Sequence, residues 1–271
     1  MSATMQPPAV TRAATDPMRR RARLAGVLYL LTFVSIPTLT LYNPIRDHAD
    51  FILGAGSATG VLWGAASEVV VGLAGISTAV VLFPVLKRQN ESAALGLVAA
   101  RLVETCLIFV SVISLLTIMA VRSDVAGTAG ADTASLTAIG QMLLAVYDKT
   151  FLVSQSLMPV IVDLLLGYLL YRSRLVPRFL PVMAIVGAPL LLASDIAVFF
   201  GVYDKGSPLD GLAVVLIAAF EFLFGVWLVV KGFDPCSPLL TRPDAEADSP
   251  APVPSPRTGD RQLDDWRADV S

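Results

Sequence analysis

Apolar residues run through this chain in six long blocks, at residues 24–42, 61–83, 93–121, 151–171, 179–201 and 209–230. A helix crossing the hydrocarbon core of a bilayer needs about 20 such residues, and each block approaches or exceeds that length. The blocks lack the strict alternation of barrel strands. The pattern therefore predicts an all-α fold, a polytopic six-transmembrane-helix bundle over residues 18–233. The third block is long enough to tilt or to emerge from the bilayer as helix. Residues 121–140, rich in Ala, Gly and Thr, read as a loose loop.

The flanks differ in kind. Residues 1–17 are polar and aperiodic, and 234–271 carry seven prolines among many acids. Such segments cannot bury enough apolar surface to offset the entropy of ordering, so both read as disordered. A short helix around 262–270, docking through Trp266, is the one element expected in the tail. Arg19, Arg20, Arg21 and Arg23 precede the first block as in a secretory signal. The apolar core of a signal is only about 7–15 residues, so the block reads as an uncleaved first span.

Composition strengthens this picture. The 271 residues are 55% hydrophobic and 15% charged, against about 45–50% and 25% for a soluble domain. That excludes an ordinary soluble protein. A net charge of −2 leaves no electrostatic footprint for nucleic acid. Cys106 and Cys236 make neither a disulfide framework nor a zinc spacing.

Basic residues set an orientation, because short cytoplasmic loops collect Lys and Arg. With the N-terminus inside, the cytoplasmic side holds Arg19, Arg20, Arg21, Arg23, Lys87, Arg88, Arg172, Arg174, Arg178, Lys231 and Arg242. The other side holds Arg46, Arg122, Lys149 and Lys205. Eleven against four predicts an inner-membrane protein with both termini cytoplasmic.

Common catalytic sets are missing. The single histidine, His48, lies in a polar loop between Asp47 and Asp50. This removes His-based metal sites and Ser-His dyads within the spans. No Gly-x-Ser-x-Gly elbow or phosphate-binding glycine loop is present. No cofactor is expected, and an intramembrane enzyme stays open as a third reading that no common active-site pattern supports.

What the spans do contain is charge. Ionisable groups in a bilayer are expensive and mark functional sites by default. At about 1.5 Å per residue, Arg101 lies about 12 Å and Glu104 about 17 Å from the cytoplasmic end of their span. Asp163 and Glu221 lie about 14 Å deep by the same rise. Glu68 and Asp195 form a second level, about 24–26 Å deep. Glu68 shares a face with Gly64, Gly72 and Gly75, where small residues let helices approach. Asp148, Gln155, Pro159, Asp163 and Gly167 form a polar stripe in the fourth span.

The central level holds one cation and three acids. A surplus buried carboxylate finds a partner or takes up a proton. Arg101 is thus either a clamp tying helices through Glu104, Asp163 or Glu221, or part of a proton or cation site. Glu104, at i+3, needs no tertiary contact to pair. Pro37 and Pro159 interrupt the first and fourth spans. Two halves of three spans would have opposite orientation, as in inverted repeats.

Several segments carry a family resemblance. They are Arg101-Leu102-Val103-Glu104, Tyr147-Asp148-Lys149-Thr150-Phe151-Leu152, the run from Leu166 to Arg178, and Glu221 with Trp227 and Val230-Lys231-Gly232-Phe233. Together they resemble the bacterial integral-membrane family catalogued as domain of unknown function 4386. Lys149 stands where that family's pattern has tryptophan. The resemblance implies six helices from about Arg19 to Phe233 and no established activity. The expected function is a structural or accessory membrane protein with a buried Arg/acid cluster. The alternative is a small proton- or cation-coupled transporter using the same acids. Expected partners are the lipid bilayer, with a membrane protein or a second copy as further candidates.

Overall fold

A backbone in lipid must satisfy its own hydrogen bonds, and helices do so within one segment. The computed structural model describes residues 10–125, 132–203 and 207–241, and no strand occurs among them. Its long helices are α1 (Val10–Thr32), α2 (Ala58–Leu86), α3 (Glu91–Val125), α4 (Thr133–Ser173), α5 (Phe179–Phe199) and α6 (Pro208–Val230). Each packs against its sequence neighbours, and α1 also packs on α6. The six helices therefore close into a ring.

Five of these helices, α2 to α6, are long and apolar enough to cross a membrane. Of the six expected spans, the first is not among these five. The N-terminal part of α1 carries five arginines, and its apolar part, Leu24 to Thr32, is about 13 Å long at helical rise. The chain then breaks into a 3₁₀ turn (Phe33–Ser35), a turn at Pro37 and two short helices, Thr38–Leu41 and Asn43–Asp47. Pro37 has no N–H to donate. Hydroxyls cover the broken ladder: Thr32 donates to the Tyr29 carbonyl at 2.6 Å, and Thr38 to the Ser35 carbonyl at 2.6 Å. Ser and Thr commonly rescue interrupted helices in this way.

The expected loop at 121–140 is also corrected. α3 continues to Val125 and α4 begins at Thr133, with 126–131 outside the described residues. Asp132 caps α4 by accepting from the Ala134 and Ser135 N–H groups. The Ser135 hydroxyl and these N–H groups hold the Asp132 carboxyl below its ordinary range. Gly140, Leu144 and Tyr147 then fall on one helical face and are buried. A methyl group on Gly140 would sit 3.2 Å from Ile52, so the loop before α2 packs directly on this helix. Within α4, Pro159 offers no N–H to the Gln155 carbonyl, and the preceding turn widens into a π-turn over Val153–Leu157.

Ordered structure extends beyond 18–233 at both ends. α1 starts at Val10, within the segment expected to be disordered. Residues 234–241 are also ordered. Gly232, at φ 76°, turns the chain after α6. The Asp234 N–H then donates to the Leu175 carbonyl at 2.8 Å, and the Ser237 hydroxyl to the Ser173 carbonyl at 2.6 Å. Leu239 is buried beneath them. Residues 1–9, the tail from 242 with its expected helix at 262–270, and Lys205 and Arg242 lie outside the described residues.

The main core sits at the end of the ring that carries Lys87, Arg172 and Arg178, hereafter the basic end. Ala22, Leu82, Leu97, Leu166, Leu180 and Phe224 bring one buried side chain from each helix into it. A second, smaller core at the opposite end joins Phe51 and Ile52 to Leu115, Ile118, Leu144 and Tyr147.

Candidate functional site

Arg101 sits on the inner face of α3 and is 5% exposed. Its Nη1 donates to both carboxylate oxygens of Glu104, at 3.0 and 2.9 Å. Its Nη2 donates to the Tyr29 hydroxyl at 3.2 Å and to Glu221 Oε1 at 3.3 Å. The guanidinium also lies over the Tyr29 ring, 5.6 Å from its centroid. One cation thus ties α1, α3 and α6. The planar fork of arginine suits this, since it presents donors in two directions at once. Gly75 leaves the space: a methyl group there would lie 3.8 Å from Arg101 Nη1.

Asp163 is fully buried, yet neither of its carboxylate oxygens has a hydrogen-bond partner among the described residues. It acts on Glu221 and Arg101 through space. The four residues expected at one level thus divide. Arg101, Glu104 and Glu221 are in contact, and Asp163 lies outside hydrogen-bond reach.

The second level does not form a group. Glu68 accepts from the Tyr147 hydroxyl at 2.7 Å between α2 and α4. Asp195 accepts from the Ser156 hydroxyl between α5 and α4. Nor is the fourth-helix stripe continuous. Asp148 lies near the end of the ring, half-exposed and paired with Arg46 at 2.7 Å, whereas the buried Gln155 Nε2 has no hydrogen-bond partner among the described residues. Gln155 lies within the π-turn, whose wider pitch breaks the register of the stripe.

A cavity of about 740 Å³ enters the ring from the end opposite the basic one. Arg46, Asp148, Lys149 and Tyr203 stand at its mouth, and Leu191, Val214 and Ile217 line its middle. Gln155, Pro159 and Glu221 form its floor. Along α6 from Asp210 to Glu221 the depth is about 16 Å at helical rise. A second cavity, of about 160 Å³, lies beyond Gln155, Pro159 and Glu221 and reaches Arg101 and Glu104. Its wall includes both interrupted segments, Thr32 to Ile36 on one side and Gln155 with Pro159 on the other. Among the described residues, no group of three or more His, Cys, Asp or Glu side chains could hold a metal ion.

Tyr29, Arg46, Tyr147 and Ser156 carry much of this arrangement, and sequence reasoning missed them. A tyrosine within an aliphatic run, as at Tyr29, is the signal that could have exposed one of them, because a buried hydroxyl needs a partner.

The family described as Domain of unknown function (DUF4386) matches residues 24–232. The chain belongs to the DUF4386 family. The DUF4386 match begins at the apolar part of α1 and ends at the turn after α6, so it contains both cavities and all six intramembrane charges. No curated protein and no solved structure matches the chain.

Proposed function

We propose that this protein is a six-span transporter of a small solute in the cell's inner membrane. Both termini face the cytoplasm, and Glu221 with Asp163 serves as the proton-responsive pair. Eleven basic residues against four support the orientation. The first crossing is made by α1 together with the broken segment to Leu41. Exposed apolar side chains such as Trp63, Leu95 and Phe199 are suited to the lipid-facing side.

The observation that carries the transport reading is the cavity that descends to Glu221. A structural clamp needs no opening beside its charges. Two interruptions add support, because they fall in the first helix of each three-helix half and flank the inner cavity. Paired interruptions of this kind mark midplane binding sites in transporters. Arg101 keeps Glu104 occupied, and Glu221 is the partner that can be released. The accessory reading rests on a different observation, the direct tie that Arg101 makes between α1, α3 and α6.

The test uses a chain with Cys106 and Cys236 replaced by serine. Ala218→Cys, on the cavity wall, should react with an impermeant thiol reagent applied outside intact cells. Ala184→Cys, in the dry core, should not. In the native chain Cys236 should be labelled only after lysis. Dicyclohexylcarbodiimide, which attacks protonated carboxyls in apolar sites, should modify Glu221 or Asp163, and Glu221→Gln with Asp163→Asn should abolish that modification. An unreactive Ala218→Cys together with no carbodiimide adduct would leave the clamp as the function.

A further inference from the structure

The chemistry of the cavity floor restricts what the solute can be. Arg101 spends Nη1 on Glu104 and shares Nη2 between Tyr29 and Glu221, at the long distances of 3.2 and 3.3 Å. Glu221 is thus held at one oxygen only, and its side chain is 20% exposed where it meets the cavity. Behind it lies Asp163 with no hydrogen-bond partner. Glu221 is the acid on the floor, with Glu104 in the inner cavity beyond it, so with Asp163 the cluster sets three acids against one arginine and is electronegative once Glu221 is ionised. At the mouth the charges balance, Arg46 and Lys149 against Asp148 and Asp210. An anion entering the cavity therefore meets opposition at its floor, whereas a cation is drawn there.

A metal ion is a poor match, because no group of metal ligands exists among the described residues. The walls suit an organic body instead. Tyr42, Tyr147 and Tyr203 line the upper part, where aromatic faces attract cations. Leu191, Val214 and Ile217 line the middle with apolar surface. A volume of about 740 Å³ falls in the range of pockets for drug-sized ligands.

Resting on the transport reading, we propose that the solute is an organic monocation, an ammonium-type group on an apolar body, that binds Glu221 in exchange for a proton. The exchange balances. The cation forms an ion pair with the Glu221 carboxylate, the proton held by Glu221 leaves to cavity water, and the net charge of the floor is unchanged.

Ethidium is a suitable probe because it is fluorescent and permanently charged, so any pH dependence belongs to the protein. The full chain is placed in nanodiscs of phosphatidylcholine, with empty nanodiscs as background. Saturable binding is expected, weakening at least tenfold from pH 8 to pH 5 as protons compete. Glu221→Gln should weaken it at least tenfold and remove the pH dependence. Val214→Trp fills the cavity away from the charges and should also abolish binding, which covers the case in which Glu221→Gln fails to fold. Ethidium should protect Glu221 from dicyclohexylcarbodiimide. No saturable binding, or binding unchanged in both variants, would overturn the proposal. If ethidium fails while Ala218→Cys and the carbodiimide still react, the cation assignment falls alone. If all three fail, the transport reading falls with it.

Discussion

The two ends of the bundle are built from the same six helices and packed in opposite ways. At the basic end, Leu166, Leu180, Phe220, Phe224 and Leu228 are fully buried, and every helix contributes to one core. At the other end the ring is hollow, and polar clamps supplement a smaller core. Arg122 is the clearest clamp. It donates to the carbonyls of Phe51, Gly54, Ala55 and Gly56 and lies 4.3 Å from the Phe51 ring centroid. The difference follows from where the helices are continuous. Continuous segments can close at small residues, as Gly26 of α1 does on Gly225 of α6. The interrupted segments at 33–37 and 153–157 cannot lie flush with their neighbours, and space opens beside them. Arg101 stands at the boundary between the two regimes.

The largest effect should come from that boundary. Arg101→Ala leaves Glu104 and Glu221 buried without their cation, at a cost of about 3–5 kcal/mol. The loss should appear as a lowered Tm of the detergent-extracted protein. Replacing Arg101, Glu104 and Glu221 together by apolar residues should recover much of it, since a buried ion pair is often no better than good packing. A small effect of Arg101→Ala would mean that the dry core stands without its charged floor.

Two glycines sharpen the comparison by sign. A methyl group on Gly26 would sit 2.6 Å from the Gly225 carbonyl oxygen, which is backbone and cannot step aside. Gly26→Ala should destabilise by about 1–3 kcal/mol. Gly211 lies in α6 beside the cavity, with nothing within 4 Å of such a methyl group. Gly211→Ala should stabilise by about 0.5–1 kcal/mol through helix propensity. Thermal unfolding of both variants reads the contrast, and equal shifts would erase the distinction between the halves.

Arg122→Ala should act locally. It frees four carbonyls and should cost about 1–2 kcal/mol, given that charged donors strengthen hydrogen bonds but this one is partly exposed to solvent. Hydrogen exchange should quicken over residues 51–57 while the basic end stays protected. The smallest effect belongs to Asp132. Its carboxyl is held below its ordinary range by the Ser135 hydroxyl and by the Ser135 and Ala134 N–H groups. The cap is therefore present above the ordinary carboxylate range and is lost as pH falls through the lowered value. The Ala134 and Ser135 amides should lose protection in acid, and Asp132→Ala should remove that pH dependence.

Periodicity and composition determined the helical class and five of the spans, because an apolar run has few ways to satisfy its backbone in lipid. They also placed Arg101 and Glu104 together, since i and i+3 are neighbours on any helix. Glu221 was legible as a member of the same level by helical rise alone. The chain did not reveal that Asp163 stands apart from Arg101. That depends on the rotation of α4 below its π-turn, and apolar periodicity carries no sign of a widened turn. Nor did it reveal that residues 133–150 are helix, because their support is Ile52, far away in the chain. The cavity was the least legible feature of all. Hydropathy reports which residues avoid water, whereas a hollow arises where interrupted helices fail to meet, and only the tertiary structure decides that.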